Sequence, residues 1–232
     1  MLRQRWFDLL FAHWPVPAVR LRPLVPASLE VEEFGGTSWV GIVPFKIEGL
    51  SWRPLPDLPY FSSFPELNLR LYVEAEGKPG VWFVSLDADN AAAVLGARLA
   101  FRLPYWRAQI DMRRGDRDIE FRSVRRTQPA TTFAVRYRPV GPEIEPRPGT
   151  LDYFLTERYC LYAPHAGGAL RRLEIHHPRW RLTRAEAKIE HNTLASTQGI
   201  ALDDARPAVL HFSARQDVVA WWPERIRPGA HD

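Results

Sequence analysis

Lysine is nearly absent from this chain: three stand among 31 basic residues, and the other 28 are arginine. Covalent chemistry through an amine therefore has three candidates, all in polar settings. Lys46 shares one face of the alternating run WVGIVPFKIE with Glu48, Lys78 lies in the turn EGKPG, and Lys188 stands between Glu186 and Glu190. Single lysines in such places are solvated or ion-paired rather than buried and reactive. Cysteine is scarcer still. Cys160 alone excludes an internal disulfide and fits a reducing compartment, and it has no histidine or glycine-rich neighbourhood to activate it. No serine stands in a G-x-S-x-G context and no glycine loop could cradle a phosphate. His176 and His177 are adjacent, so they point to opposite sides of a strand, and His191 and His211 are isolated. No spacing resembles a zinc site, and neither metal nor cofactor is expected. No run approaches the ~20 apolar residues of a membrane span. The N-terminal MLRQRWFDLLFAHWPV is interrupted by Asp8 and His13, too soon for a signal segment. A soluble cytoplasmic protein with no membrane partner is the expectation.

What is present is aromatic and arginine-rich. Hydrophobic residues make up 46% of the 232, with nine tryptophans, which is ample for one sizeable core. The arginines invite a nucleic-acid reading. However, 27 acids are interspersed and the formal excess is only +4, so nucleic acid is not an expected partner.

Period-2 alternation and β-branched or aromatic content predict strands over most of the chain. They cover Arg5–Ala12, a hairpin of Leu29–Phe34 and Ser38–Ile47 joined by Gly35-Gly36, a second hairpin of Leu67–Ala75 and Gly80–Leu86, and Arg107–Arg113, Asp118–Arg126 and Thr131–Val140. Further strands follow at Glu157–Tyr162, Ala169–His176, Arg179–Glu190, Val209–His211 and Val218–Trp221. Pro15–Pro26 reads as a short helical connection fenced by prolines. AAAVLGARLAF, capped by Asp89 or Asn90, is the clearest helix. Short helices are expected near Asp152–Leu155 and Thr193–Gln198. Leu50–Ser63 and Gly141–Thr150 read as proline-rich loops, neither long nor polar enough to separate domains. One mostly β domain of 1–232 is expected, with antiparallel sheets closing on themselves and a few short helices.

Three segments carry a resemblance: FPELNLRLYV (Phe64–Val73), GVWFVSLDADN (Gly80–Asn90) and LPYWRA (Leu103–Ala108). They resemble the acetoacetate decarboxylase superfamily, and more closely its YqjF-like branch, a family of unknown function. The resemblance implies a cone-like β-barrel flanked by a second sheet. In the decarboxylases an aromatic-x-Glu motif precedes a Pro-Lys-Lys whose first lysine forms an imine with the keto acid. Laid on this chain without gaps, the glutamate falls on Glu66, a glycine on Gly80, Asp-Asn on Asp89-Asn90, and Pro-Lys-Lys on Pro104-Tyr105-Trp106. A phenol and an indole cannot form an imine.

Glu66, in an apolar neighbourhood, is a candidate acid or base, because burial raises a carboxyl pKa. An ion pair with Arg70 is the competing reading. Asn68 and Arg70 share its strand face by period 2, while Leu67, Leu69 and Leu71 take the other. Such a row suits a carboxylate- or carbonyl-bearing ligand, since arginine holds a carboxylate bidentately; it equally suits a solvated face. Tyr105 is a candidate cavity residue and proton donor, with Trp106 and Arg107 as a stacking or clamping pair. His13 is a further ligand-binding candidate, against a hydrogen-bonded core role. In LTERYCLY, alternation puts Glu157, Tyr159 and Leu161 on one face, and the family pattern makes Tyr159 a cavity candidate. Two functions stay open: an enzyme on a small carboxylate or carbonyl compound without an imine step, or a noncatalytic ligand-binding or assembly protein. Trp221 and Trp222 sit beside arginine with little chain left to cover them. That is interface composition, and the superfamily is commonly oligomeric, so a homo-oligomer, most simply a dimer, is expected.

Overall fold

The alternating segments do form strands, and they join into one continuous sheet system. The structure, a computed structural model, describes residues 1–52 and 62–226. Its strands are β1 (Leu2–Val16), β2 (Glu30–Val31), β3 (Ser38–Trp52), β4 (Phe64–Ala75), β5 (Lys78–Ala88), β6 (Tyr105–Arg107), β7 (Gln109–Arg114), β8 (Ile119–Arg125), β9 (Thr131–Ile144), β10 (Cys160–Pro164), β11 (Leu170–His176), β12 (Leu182–Asn192), β13 (Val209–Ala220) and β14 (Glu224–Ile226). Helices α1 (Ala18–Leu21), α2 (Ala91–Phe101) and α3 (Leu151–Thr156) interrupt them. No helix among the described residues is long and apolar enough to cross a membrane.

Strand neighbours run β14-β11-β10-β5-β4-β3-β1-β13-β12-β9-β8-β7. One further pairing, β11 with β13 through Ile175↔Ala220 and His176↔Val219, closes seven of these strands into a ring. The remaining arm, β12-β9-β8-β7, packs over the outer face of β1, β3 and β4. Between the arm and that face lies the main core, where Leu10, Ile42, Leu67, Leu69 and Leu71 meet Ile110, Phe121, Phe133 and Tyr137. Each such side chain contributes about 1.5–3 kcal/mol on burial. Because side chains alternate across a strand, the same β4 that buries its leucines outward turns Glu66, Asn68 and Arg70 inward.

The β4–β5 hairpin turns in two residues, Glu76 and Gly77, with φ of 54° and 69°. Positive φ at both positions matches the twist of the flanking strands. Asn90 caps α2 by accepting from the Ala93 amide at 3.0 Å. Arg102, left-handed at φ 55°, ends the helix and turns the chain into β6.

Several expectations are corrected. Gly35-Gly36 makes only an isolated Phe34↔Thr37 bridge, and β2 pairs with β4 rather than β3. Val209–His211 and Val218–Trp221 are one strand, β13, whose buried Ser213 and Gln216 broke the apolar pattern. The start of the Gly141–Thr150 loop belongs to β9, which pairs Ile144 with Leu182. Not every pairing is antiparallel: β5 runs parallel to both β6 and β10. The Leu50–Ser63 loop lies largely outside the described residues.

Candidate functional site

The inner face of the ring encloses a cavity of about 370 Å³. Its wall is mostly apolar: Leu9 and Phe11 of β1, Val43 and Phe45 of β3, Phe83 and Leu86 of β5, Leu161, Leu173, and Trp180. Helix α2 closes one side with small residues, Ala93, Gly96, Ala97 and Ala100. Against this surface β4 sets three polar side chains at every second position. Glu66 pairs across to Phe45 and Ala88, Asn68 to Val43 and Leu86, and Arg70 to Gly41 and Phe83. Each is therefore flanked by groups that offer no hydrogen bond.

Glu66 is 4% exposed, and its Oε2 accepts a hydrogen bond from the Tyr105 hydroxyl at 2.8 Å. Parallel pairing of β6 with β5, Leu86↔Tyr105, brings this tyrosine in from 39 residues away, and Arg98 Nε donates to its carbonyl at 2.5 Å. Burial pushes the Glu66 carboxyl up to about 8; the Tyr105 bond pulls against this and the Asp87 charge adds to it. Glu66 is thus mostly protonated at neutral pH. Burial, with the neighbouring Glu66, drives the Tyr105 phenol well above its ordinary value, so Tyr105 stays a donor and Glu66 is the group that titrates.

Arg70 lies at the other end of the row. Its Nη2 donates to the Leu155 carbonyl at 2.9 Å and its Nε to the Tyr72 hydroxyl at 3.2 Å, while the guanidinium sits 5.1 Å from the Phe11 ring centre. Gly41 makes this possible, since a Cβ there would lie 3.1 Å from Arg70 Cγ and 3.2 Å from His13 Cδ2. No carboxylate among the described residues pairs with Arg70. Beside it Arg158 also lines the cavity. Arg158 is bound to Glu32 at 2.6 Å and to the Phe154 carbonyl at 2.8 Å. Both guanidiniums lie against the Tyr72 ring, at 5.5 and 5.2 Å. Burial raises Glu32 to about 7 in spite of Arg158, so at neutral pH Glu32 offsets at most one of the two positive charges.

The structure thus brings Glu66, Asn68, Arg70 and Tyr105 into one cavity and leaves the other expected residues outside it. Trp106 is exposed between Arg98 and Arg125, whose guanidiniums lie 5.4 and 4.9 Å from its ring. Arg107 is exposed and off the wall. His13 is fully buried behind Arg70, with Nε2 2.6 Å from the Tyr72 hydroxyl. Burial and the Arg70 charge keep it neutral. His13 thus braces Tyr72 and does not line the cavity. Tyr159 turns away, donates to Glu157 and stacks on His177 at 4.6 Å. The alternation read through Glu157–Leu161 fails because β10 begins only at Cys160, and Glu157 ends α3 with φ −83°, ψ 77°. Arg158 and His177 take the cavity positions that Tyr159 was expected to share. Only the charge of Arg158 in an apolar stretch hinted at this.

Lys46 pairs with Glu48 at 2.7 Å, Lys78 pairs with Glu174 at 2.6 Å, and Lys188 is exposed on β12; none lines the cavity. No group of three or more metal-ligating side chains occurs among the described residues.

This arrangement of strands has the fold of the acetoacetate decarboxylase-like proteins. An acetoacetate decarboxylase-like enzyme from Sphingomonas wittichii RW1 superposes with a TM-score of 0.65 at 14% identity, covering 98% of this chain and 93% of that one. The acetoacetate decarboxylase of Legionella pneumophila gives 0.66 at 12% identity, covering 98% and 88%. Sequence narrows the class further. The chain belongs to the DUF2071 family, described as an uncharacterized conserved protein, which matches residues 3–217. It is 43% identical over 221 residues to the uncharacterized protein YqjF of Bacillus subtilis, covering 95% of this chain and 90% of that one.

Proposed function

We propose that the chain acts as one cytoplasmic domain, a cone-like barrel whose cavity binds a small carbonyl- or carboxylate-bearing compound and presents it to Glu66 as a proton donor. The observation that carries this reading is the Glu66–Tyr105 pair, a carboxyl kept protonated near neutral pH by apolar walls. A general acid works best with a pKa near the working pH. Tyr105 donates to Oε2, which leaves Oε1 to carry the proton to a ligand oxygen. The same phenol then stabilises the carboxylate that forms. Asn68 lies between acid and arginine, its Oδ1 buried without a partner, and can take a ligand donor. Arg70 holds the anionic group. With no lysine on the wall, chemistry at this site proceeds without an imine.

Turnover of a responsive substrate should fall by ~10²-fold or more in Glu66→Gln while its KM changes little. Unchanged turnover in that variant would remove Glu66 from the chemistry, whereas binding without any turnover, at an affinity that Glu66→Gln leaves nearly intact, would support the competing reading, a noncatalytic ligand-binding or assembly protein. Incubation with acetoacetate and borohydride should leave every lysine unmodified by mass spectrometry, and a lysine adduct would overturn the imine-free reading.

A homo-oligomer, most simply a dimer, is part of the same proposal. Trp221 and Trp222 are 44% and 56% exposed between the end of β13 and the start of β14, which supports this reading. Light scattering at micromolar concentration should give a mass near twice the 26.7 kDa of one chain, and a single-chain mass would sink the dimer.

A further inference from the structure

We infer that the cavity is built for an extended amphipathic monocarboxylate, about eight to ten carbons long, whose carboxylate is held between Arg70 and Arg158 and whose apolar body runs toward Glu66. This rests on the carboxylate arm of the reading above and adds the ligand's length and the second arginine.

Three observations converge. The first is charge. Arg70 spends Nε and Nη2 on Tyr72 and Leu155, and Arg158 spends Nε and Nη1 on Phe154 and Glu32. Arg70 Nη1 and Arg158 Nη2 have no protein partner among the described residues. Of the two buried guanidiniums only Arg158 has a carboxylate, Glu32, which leaves on Arg70 a positive charge that a ligand anion can neutralise.

The second is spacing. Glu66 and Arg70 are four residues apart on one strand, so their backbones stand about 13 Å apart. A two- or three-carbon keto acid cannot extend from one to the other, whereas a chain of eight or more carbons can. The third is volume and surface. At the roughly 30 Å³ that a water-sized group occupies in a liquid, 370 Å³ admits about a dozen non-hydrogen atoms. Between the two polar ends the row carries Asn68, and the rest of the wall, with Phe11, Phe45, Phe83, Leu161 and Trp180, is mostly apolar and favours hydrocarbon.

Calorimetric titration of the full chain with octanoate, n-butyrate and 1-octanol tests this. Four additional buried methylenes should make octanoate bind on the order of 100-fold tighter than butyrate. Octanol, which lacks the charge, should bind at least about tenfold more weakly than octanoate. Arg158→Met and Arg70→Met should each weaken octanoate by about tenfold or more and leave octanol nearly unchanged. Retained octanol binding doubles as the check that a variant is folded. Should a variant fail to fold, Arg70→Lys and Arg158→Lys, which keep the charge and lose the fork, should give a smaller loss in the same direction. Equal affinity for butyrate and octanoate overturns the extended ligand while leaving the Glu66 acid untouched. Equal affinity for octanol and octanoate overturns the two-arginine clamp. Failure of all three to bind overturns the inference, whereas the Glu66→Gln turnover result bears only on the proton-donor reading.

Discussion

Two buried carboxylates stand one residue pair apart on neighbouring strands and have opposite fates. Asp87 pairs across β4 with Leu67, so it faces the arm rather than the cavity. There it meets Arg125, which also reaches Ser85, and it accepts from Ser123 at 3.3 Å. Glu66 faces the cavity and has one phenol. Burial raises the pKa of both acids. Asp87 meets that cost with a buried guanidinium, and Glu66 meets it by keeping its proton. A buried acid with a full set of partners is scaffold. One left with a single neutral donor is free to exchange a proton, and this contrast separates wall from chemistry here.

The contrast breaks most visibly at Arg125. Arg125→Met strands the Asp87 charge between two sheets and should lower stability by about 3–5 kcal/mol in urea denaturation at pH 7. A loss under about 1 kcal/mol would mean that Asp87, too, is neutral and the two acids are alike.

Next comes pH. The folded chain holds a proton on Glu66 that the unfolded chain releases near 4.5, and it keeps that proton up to about 8. Stability from this group is therefore complete at acid pH and is lost as pH rises across that window, on the order of 4 kcal/mol in all. Glu32, raised to about 7, adds a slope of the same sign. The difference between the parent chain and Glu66→Gln isolates the Glu66 share. Denaturation at pH 5, 6, 7 and 8 should show the parent losing stability relative to Glu66→Gln as pH rises, the two curves separating, and parallel curves would remove the case for a protonated Glu66.

The smallest effect sharpens the picture. Tyr105→Phe deletes the one hydrogen bond that favours the Glu66 carboxylate. It should move the Glu66 titration upward by up to about one unit, followed by the infrared carbonyl band, at a stability change near 1 kcal/mol. A downward move would show that Tyr105 acts on Glu66 in some other way.

Much of this site could be read in the segment FPELNLRLYV, because β4 is buried on both faces and its alternation assigns leucines to one side and Glu66, Asn68 and Arg70 to the other. The Glu66–Tyr105 meeting was not readable from pattern. It depends on the parallel β5–β6 pairing across the α2 excursion, and the family resemblance supplied it. Arg158 and His177 escaped for a different reason. They sit on backbone that is neither helix nor strand, where no period tells inside from outside. The exclusion of Trp106 follows from the alternation of β6 once Tyr105 is known to point inward, and that direction is a tertiary fact. β13 shows the converse: buried polar residues, Ser213 and Gln216 among them, hid a single long strand behind two short apolar pieces.

The β11–β13 pairing has a consequence for traffic. The ring opens at this point only if the two pairs Ile175↔Ala220 and His176↔Val219 part, so this short contact holds the circumference of the cavity. Helix α2 is under no such constraint. Val94 is the only one of its residues that is buried, and beyond its cap the helix is tied to the sheet by side chains such as Arg98, which reaches the Tyr105 carbonyl, and not by a strand pair. If the cavity takes a guest as proposed, the ring of strands sets the shape that the guest must fit, and α2 is the part of the wall held by side chains alone.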